Sequence, residues 1–246
     1  MTDRPDRPGC VVVLVHGAWH GAWCWEHVLP GLARRGLATR VVELPSTLVE
    51  GAGFADDVAA VRTCLDGCAG PVLLVGHSYG GSVITEAGEH PVVGGLVYVA
   101  GFNVTEDESP AAAAVEESTG IDHAGRPPLD LVEGPGGRML PTPDAARAVF
   151  YADCPEDEAD RAIQQLRAQE MSCLGASPGS VAWRTRPSTY VVCELDQAVH
   201  PDLQRILARR ADRQEMLPSG HSPFLSMPDR LVDVLGSAAQ LVSDQA

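Results

Sequence analysis

Along this chain, short continuous apolar runs alternate with stretches in which apolar residues recur every three or four positions. Val11–Val15 is a β-branched run closed by Gly17, the pattern of a strand buried on both faces. Residues 25–35 read as a helix stopped by Gly36, and 39–44 as a strand stopped by Pro45. Within 54–68, Val58, Val61 and Leu65 share one helical face, with Gly67 and Gly70 as stop signals. A strand at 72–75, a helix at 82–89 and a strand at 96–99 continue the rhythm, which breaks after Gly101. Residues 103–183 hold acidic clusters, glycine-proline stretches at 134–137 and 140–143, and helical patches such as 155–169. The strand signal returns at 189–193, followed by a helix around 202–210 and a short strand near 214–217. A last helix at 228–242 carries Leu231, Val234, Leu235, Ala238 and Leu241 on its expected buried face.

Repeated βαβ units imply an α/β fold: a doubly wound, mostly parallel sheet with helices on both faces and right-handed crossovers. The expected division is a core from residues 1–102 and 184–246, interrupted by an inserted helical cap at 103–183 that covers the site. No internal repeat of fixed period is present.

Composition narrows the chemistry. The chain has 246 residues, 45% of them apolar, enough for one sizeable α/β domain. All 18 basic residues are Arg, so Schiff-base, P-loop-lysine and other ammonium-dependent chemistry is excluded. With 33 acids the net charge is −15, which argues against nucleic acid or an anionic membrane as partner. Residues 103–183 carry 15 acids and 5 Arg, two thirds of the excess, which reads as a solvated face. If that charge reaches the site entrance, it disfavours anionic substrates. The polar N-terminus, with a first apolar run too short for a signal sequence, makes a cytoplasmic location the expectation. Seven cysteines are scattered, and only Cys64 and Cys68 have i,i+4 spacing. Lacking a His or third Cys at ligand spacing, they read as free thiols, and no metal site is expected.

The sharpest motif is Gly76-His77-Ser78-Tyr79-Gly80-Gly81, directly after a strand and before a helical pattern. That context is a nucleophile elbow: the glycines let strand and helix pack closely while Ser78 projects its Oγ from a strained turn. Serine needs a base held by a third group. His221, in the turn between the last short strand and the last helix, fits the base, and His77 reads as a packing residue. The carboxylate is expected between them at the end of a strand, where Asp196 is favoured and Glu194 is its rival. Two backbone donors are expected for the oxyanion: the N–H of Tyr79, and one from the turn after the first strand, where Ala18 is chosen with Trp19 as the neighbouring alternative. His16, Trp19 and His20 are expected to shape the pocket. Trp23 and Trp25 read as core, and His27, His90, His123 and His200 as surface or loop residues.

These residues resemble the α/β-hydrolase superfamily, in the branch that holds plant hydroxynitrile lyases, plant methyl-ester hydrolases and small bacterial esterases. The resemblance rests on residues 14–25, on the elbow at 76–81, on Tyr190-Val191-Val192-Cys193 followed by Asp196, and on Gly220-His221. It implies a Ser78–Asp196–His221 triad, an oxyanion hole at Ala18 and Tyr79, and hydrolysis without a cofactor. Lyases of this type carry a lysine beside the catalytic histidine. Here Ser222 follows His221, which argues against cyanohydrin cleavage, and a serine at position 78 argues against the aspartate-nucleophile branches. The expected function is a serine hydrolase that cleaves a small or medium apolar ester (methyl, aryl, thioester or lactone) through an acyl-enzyme. The alternatives are a pathway enzyme using the same site for a cyclisation or rearrangement, and a non-catalytic ligand-binding homologue. A small-molecule substrate is the expected partner, and a homodimer stays open.

Overall fold

The computed structural model describes residues 9–116 and 120–245, so the polar N-terminal stretch 1–8 lies outside the described residues. Six strands form one sheet in the order β2-β1-β3-β4-β7-β8: β1 (Val11–Val15), β2 (Ala38–Val42), β3 (Val72–His77), β4 (Val93–Val99), β7 (Ser188–Cys193) and β8 (Arg213–Leu217). Every pairing in it is parallel. The continuous apolar runs occupy the middle: β3 and β7 are buried at every residue. β8, at an edge, exposes all but Leu217, and its charged Arg213 and Glu215 discourage pairing with another strand.

Helices α2 (Phe54–Asp66) and α3 (Tyr79–Ala87) pack together over the sheet, as do α1 (Leu29–Arg34) and α9 (Pro228–Gln245). Strand order reverses between β1 and β3, because the chain winds outward from β1 to β2 and then crosses back. In open α/β sheets the carboxyl ends at such a reversal diverge and leave a crevice. The turn after β1 and the turn after β3 both open into it.

Local differences from the sequence pattern have local causes. The expected helix at 25–35 is split into a 3-10 turn at Ala22–Trp25 and the short α1, because Pro30 has no N–H to continue the ladder and restarts the helix. α3 begins at Tyr79 rather than Ser82, since the glycines that argue against helix by propensity sit in its first turn for proximity. On α9 the buried residues are Leu231, Val232, Leu235, Ala238, Ala239 and Val242, with Val234 and Leu241 half-buried. Val242 turns inward because Gly94 and Gly95 of β4 leave room, a Cβ on either standing under 3 Å from it.

Between β4 and β7, the segment contains α4 (Pro110–Glu116), a two-stranded antiparallel hairpin of β5 (Leu131–Glu133) and β6 (Met139–Pro141), α5 (Pro143–Phe150) and α6 (Glu156–Gln165). The helical patch expected to reach residue 169 ends at Gln165. Beyond it the chain straightens, and Gln169 exchanges two backbone hydrogen bonds with Met139 (2.8 and 3.0 Å). Helix α7 (Pro201–Ala208) packs on β7, and the short α8 (Pro223–Ser226) leads into α9. All seven cysteines are free thiols. No helix among the described residues is long and apolar enough to cross a membrane.

The tightest packing is at the end of β3. A Cβ on Gly80 would lie 2.5 Å from the His16 carbonyl oxygen, and one on Gly76 2.5 Å from the Gly80 carbonyl oxygen. Gly80→Ala is therefore expected to cost about 2–3 kcal/mol in urea denaturation, since rigid backbone must move apart. Gly175→Ala, where nothing lies within 4 Å, should stay within about 0.5 kcal/mol.

Candidate active site

Ser78 follows the last residue of β3 and caps α3 with φ 49° and ψ −121°, a conformation that a side chain strongly disfavours. Neighbouring backbone holds it there. Its N–H donates to the Val99 carbonyl (3.0 Å), and its carbonyl accepts from Gly81 (2.9 Å) and Phe102 (3.1 Å). Gly81 permits this approach, because a Cβ there would stand 2.6 Å from the Phe102 nitrogen.

Two more strand ends bring their residues to the same place. Beyond β7, Asp196 is fully buried, and four donors converge on its carboxylate. Oδ1 accepts from the amides of Ala198 (2.7 Å) and Val199 (3.0 Å), while Oδ2 accepts from Gln204 Nε2 (2.7 Å) and His221 Nδ1 (2.8 Å). Glu194, the rival acid, is exposed and lies 3.8 Å from Arg205, so it does not face the histidine. With Nδ1 bonded to Asp196, the Nε2 edge of His221 faces away from its carboxylate partner, and Ser78 and His221 line one cavity.

The backbone of the His221 turn is held from both sides. His77 Nε2 donates to the His221 carbonyl (2.9 Å), with the two rings 4.6 Å apart between centroids. Asp153, from the segment after β4, accepts the Gly220 amide (2.6 Å). His77 thus does more than fill space: it anchors the chain of the residue it adjoins.

After β1, the turn residue Trp19 has φ 62° and lines the cavity with its ring. Its N–H donates to Gln169 Oε1 (2.9 Å), its carbonyl accepts from the Arg167 amide (2.8 Å), and its indole N–H donates to the Met139 carbonyl (3.1 Å). The Trp19 amide is therefore committed, whereas the N–H of Ala18 has no acceptor among the described residues. The N–H of Tyr79 is a first-turn donor of α3, which no intrahelical carbonyl can take.

His16 and His20 do not line the cavity, contrary to the expectation from sequence. Both are buried behind the turn and brace its carbonyls. His16 accepts the Leu44 amide at Nε2 (3.1 Å), so its Nδ1 carries the proton that it donates to the Gly17 carbonyl (2.8 Å). His20 donates from Nδ1 to the Ala18 carbonyl (2.7 Å) and accepts the Tyr151 hydroxyl at Nε2 (2.9 Å). Burial pushes His16 down to about 4 and His20 to about 3, and holds His77 well below the usual histidine range.

Sequence reading missed a buried polar chain beside the turn. Asp57, on the apolar stripe of α2 with Val61 and Leu65, accepts the Tyr79 hydroxyl (2.6 Å), the Ser46 hydroxyl (2.6 Å) and the Ser46 amide (2.9 Å). Ser46 Oγ in turn accepts from Gln169 Nε2 (2.7 Å). A carboxylate four residues before the buried Val61 was the available signal for Asp57, and Gln204 beside Leu203 and Leu207 was the signal for that residue. Gln169 gave none.

The cavity holds about 190 Å³. Apart from Ser78 and His221 its lining is apolar, with Trp19, Tyr79, Phe102 and Val199 contributed by the sheet's loops. Pro110, Ala111, Ala114, Leu129, Phe150 and Leu174 come from the segment between β4 and β7.

The model of the Alpha/beta hydrolase family matches residues 12–234. The chain belongs to that family. Among similar proteins, the alpha/beta hydrolase nvfD of Aspergillus novofumigatus is 28% identical over 93% of this chain and 96% of its own. Methylesterase 18 of Arabidopsis thaliana is 29% identical over 94% of this chain and 97% of its own. The crystal structure of a pyrethroid hydrolase from Sphingobium faniae JZ-2 superposes with a TM-score of 0.78 at 21% identity, covering 94% of this chain and 98% of that one. The branch is the one that the motifs resemble, and the shared α/β-hydrolase architecture places the turns after β1, β3, β7 and β8 at one end of the sheet.

Three buried neutral histidines give this hydrolase a predictable response to acid. His16, His20 and His77 titrate near 6.5 when unfolded and well below that when folded. Between pH 6.5 and 4 the unfolded chain therefore binds protons that the folded chain does not. The stability they contribute is complete above pH 6.5 and is lost as pH falls, at about 1.4 kcal/mol per pH unit per histidine. Denaturation midpoints should drop clearly from pH 7 to pH 5, and His20→Gln should reduce that slope by about one proton.

Proposed function

We propose that the protein is a serine hydrolase of neutral, largely apolar carboxylic esters, acting through an acyl-enzyme. One observation carries this reading: a serine on a strained turn shares an apolar cavity with a histidine whose Nδ1 is bonded to a buried aspartate. Ser78 Oγ attacks the ester carbonyl while His221 Nε2 takes its proton, and Asp196 keeps the imidazole oriented and balances its charge. The N–H groups of Ala18 and Tyr79 bind the oxyanion. As the tetrahedral intermediate collapses, His221 returns the proton to the departing alcohol. Water then attacks the acyl-enzyme by the same route and releases the acid.

The lining supports the substrate class. Among the described residues no charged side chain borders the cavity, so nothing there compensates the desolvation of a charged acyl or alcohol group. Names of similar proteins point the same way: a methylesterase, a pyrethroid hydrolase and a carbendazim hydrolyzing esterase. With Ser222 after His221 and no lysine in the chain, the cation that would stabilise a cyanide leaving group is missing. Residues 103–183 act in this reading as a cap, since six of the fourteen lining residues come from them. The partner is a small molecule, the site works without metal or cofactor, and the location is cytoplasmic.

A fluorophosphonate should label the wild-type protein stoichiometrically at Ser78, and a folded sample that resists labelling overturns the reading. On nitrophenyl esters, Ser78→Ala and His221→Ala should each lower kcat by about four to six orders of magnitude. Asp196→Asn should cost about 10⁴-fold, and Glu194→Gln should leave the rate near wild type. If only Glu194→Gln is crippled, the acid is misassigned. Between matched esters, kcat/KM should favour the neutral acyl chain over one ending in a carboxylate by at least about 100-fold.

A further inference from the structure

Building on that reading of the site, we infer that Gln169 is a positioning residue for the oxyanion hole. The buried chain that it completes ties together the two segments whose amides form that hole.

The direction of every hydrogen bond in this chain is settled by its chemistry. The Trp19 amide can only donate, so Gln169 presents Oε1 to it and Nε2 to Ser46. Ser46 accepts from Gln169 and passes its own proton toward Asp57, an acceptor that also takes the Tyr79 hydroxyl. One end of the chain is therefore Tyr79, whose backbone N–H is one oxyanion donor. The other end is Trp19, next in sequence to Ala18, whose N–H is the second. Gln169, Ser46 and Asp57 are all fully buried, so no solvent replaces a missing partner.

The Ala18–Trp19 peptide is where this matters. Its carbonyl is held by His20 Nδ1 and its amide by Gln169 Oε1. Trp19 at φ 62° is in the left-handed region that a tryptophan leaves readily once released. Without Gln169 Oε1 the buried Trp19 amide is orphaned, and the Ala18–Trp19 peptide is released to turn about ψ of Ala18 and φ of Trp19 toward water. Release of this peptide frees the Ala18 Cα to which the Gly17–Ala18 amide is joined, so the Ala18 N–H loses the fixed end that aims it at the oxyanion position. Gln169 touches neither the cavity nor a reacting atom, and it acts through Trp19 and Ala18.

Gln169→Met preserves volume while removing both hydrogen bonds. Three readings are made on it: steady-state ester hydrolysis, binding of an alkyl trifluoromethyl ketone, and thermal unfolding. In the ketone adduct Ser78 Oγ bonds to the ketone carbon, its proton passes to His221, and the ketone oxygen becomes the anion facing the two amides. The expected result is a kcat lower by roughly 10- to 100-fold, KM within about threefold, and ketone affinity reduced by the same factor as kcat/KM. Ser46→Ala, which cuts the link to Asp57 but keeps the Trp19 contact, should show the same parallel loss at about a third to a tenth of its size. If Gln169→Met does not fold, Ser46→Ala carries the test alone. A rate loss without matching loss of ketone affinity, or no loss in either, overturns the inference. Wild-type protein that binds no ketone and cleaves no ester overturns instead the hydrolase reading beneath it.

Discussion

The structure depends on one close approach of backbone to backbone, where the first turn of α3 passes the end of β1. Gly80 lies against the His16 carbonyl and Gly76 against Gly80, at separations that no Cβ tolerates. Because these two contacts seat α3 tightly on the sheet, the residue between β3 and α3 is forced into a positive φ, and that residue is Ser78. The strain is offset by three backbone hydrogen bonds, one donated to Val99 and two accepted from Gly81 and Phe102, the last of which requires Gly81 to be bare. The same approach sets the turn after β1 beside the turn after β3, at the point where strand order reverses and a crevice opens.

Around that crevice three histidines act as uncharged braces. His16, His20 and His77 each donate to a backbone carbonyl, of Gly17, Ala18 and His221 respectively, and burial keeps them neutral. A neutral imidazole can hold a carbonyl without placing a positive charge beside the His221 ring. The burial that suppresses their ionisation also strengthens the hydrogen bonds made there, because the surrounding dielectric is low. Fixed, uncharged braces and an apolar cavity are thus two results of one burial.

The segment between β4 and β7 contributes both lining and brace. Asp153 holds Gly220, Arg167 and Gln169 hold Trp19, and Phe150 lies 5.6 Å from the His221 ring between centroids. The net −10 of residues 103–183 is distributed over positions such as Asp144, Glu156, Asp157 and Asp160, all exposed, and among the described residues no acid lines the cavity. These exposed acids form a solvated surface, while the part of the same segment that lines the cavity is apolar.

Much of this was legible in the chain order of residue types. Continuous β-branched runs give buried parallel strands because period-two alternation is absent when both faces are covered, and the glycines around Ser78 mark a strand-to-helix turn because only glycine packs that closely. The 3.6-residue stripes also located the helices, though Pro30 and the bare faces of Gly94 and Gly95 shifted where α1 begins and which side of α9 is buried. What local pattern left open concerned groups far apart in sequence. Whether Asp196 or Glu194 meets His221 depends on which way the turn after β7 directs each side chain. Whether Ala18 or Trp19 keeps a free amide depends on Gln169, 150 residues away. That His16 and His20 brace the turn instead of lining the cavity depends on Leu44 and Tyr151 arriving opposite them. Periodicity and turn chemistry act over a few residues and determine elements. Hydrogen-bond partnership of a buried group is decided only when the folded chain brings a distant acceptor or donor within about 3 Å, and that belongs to the tertiary structure.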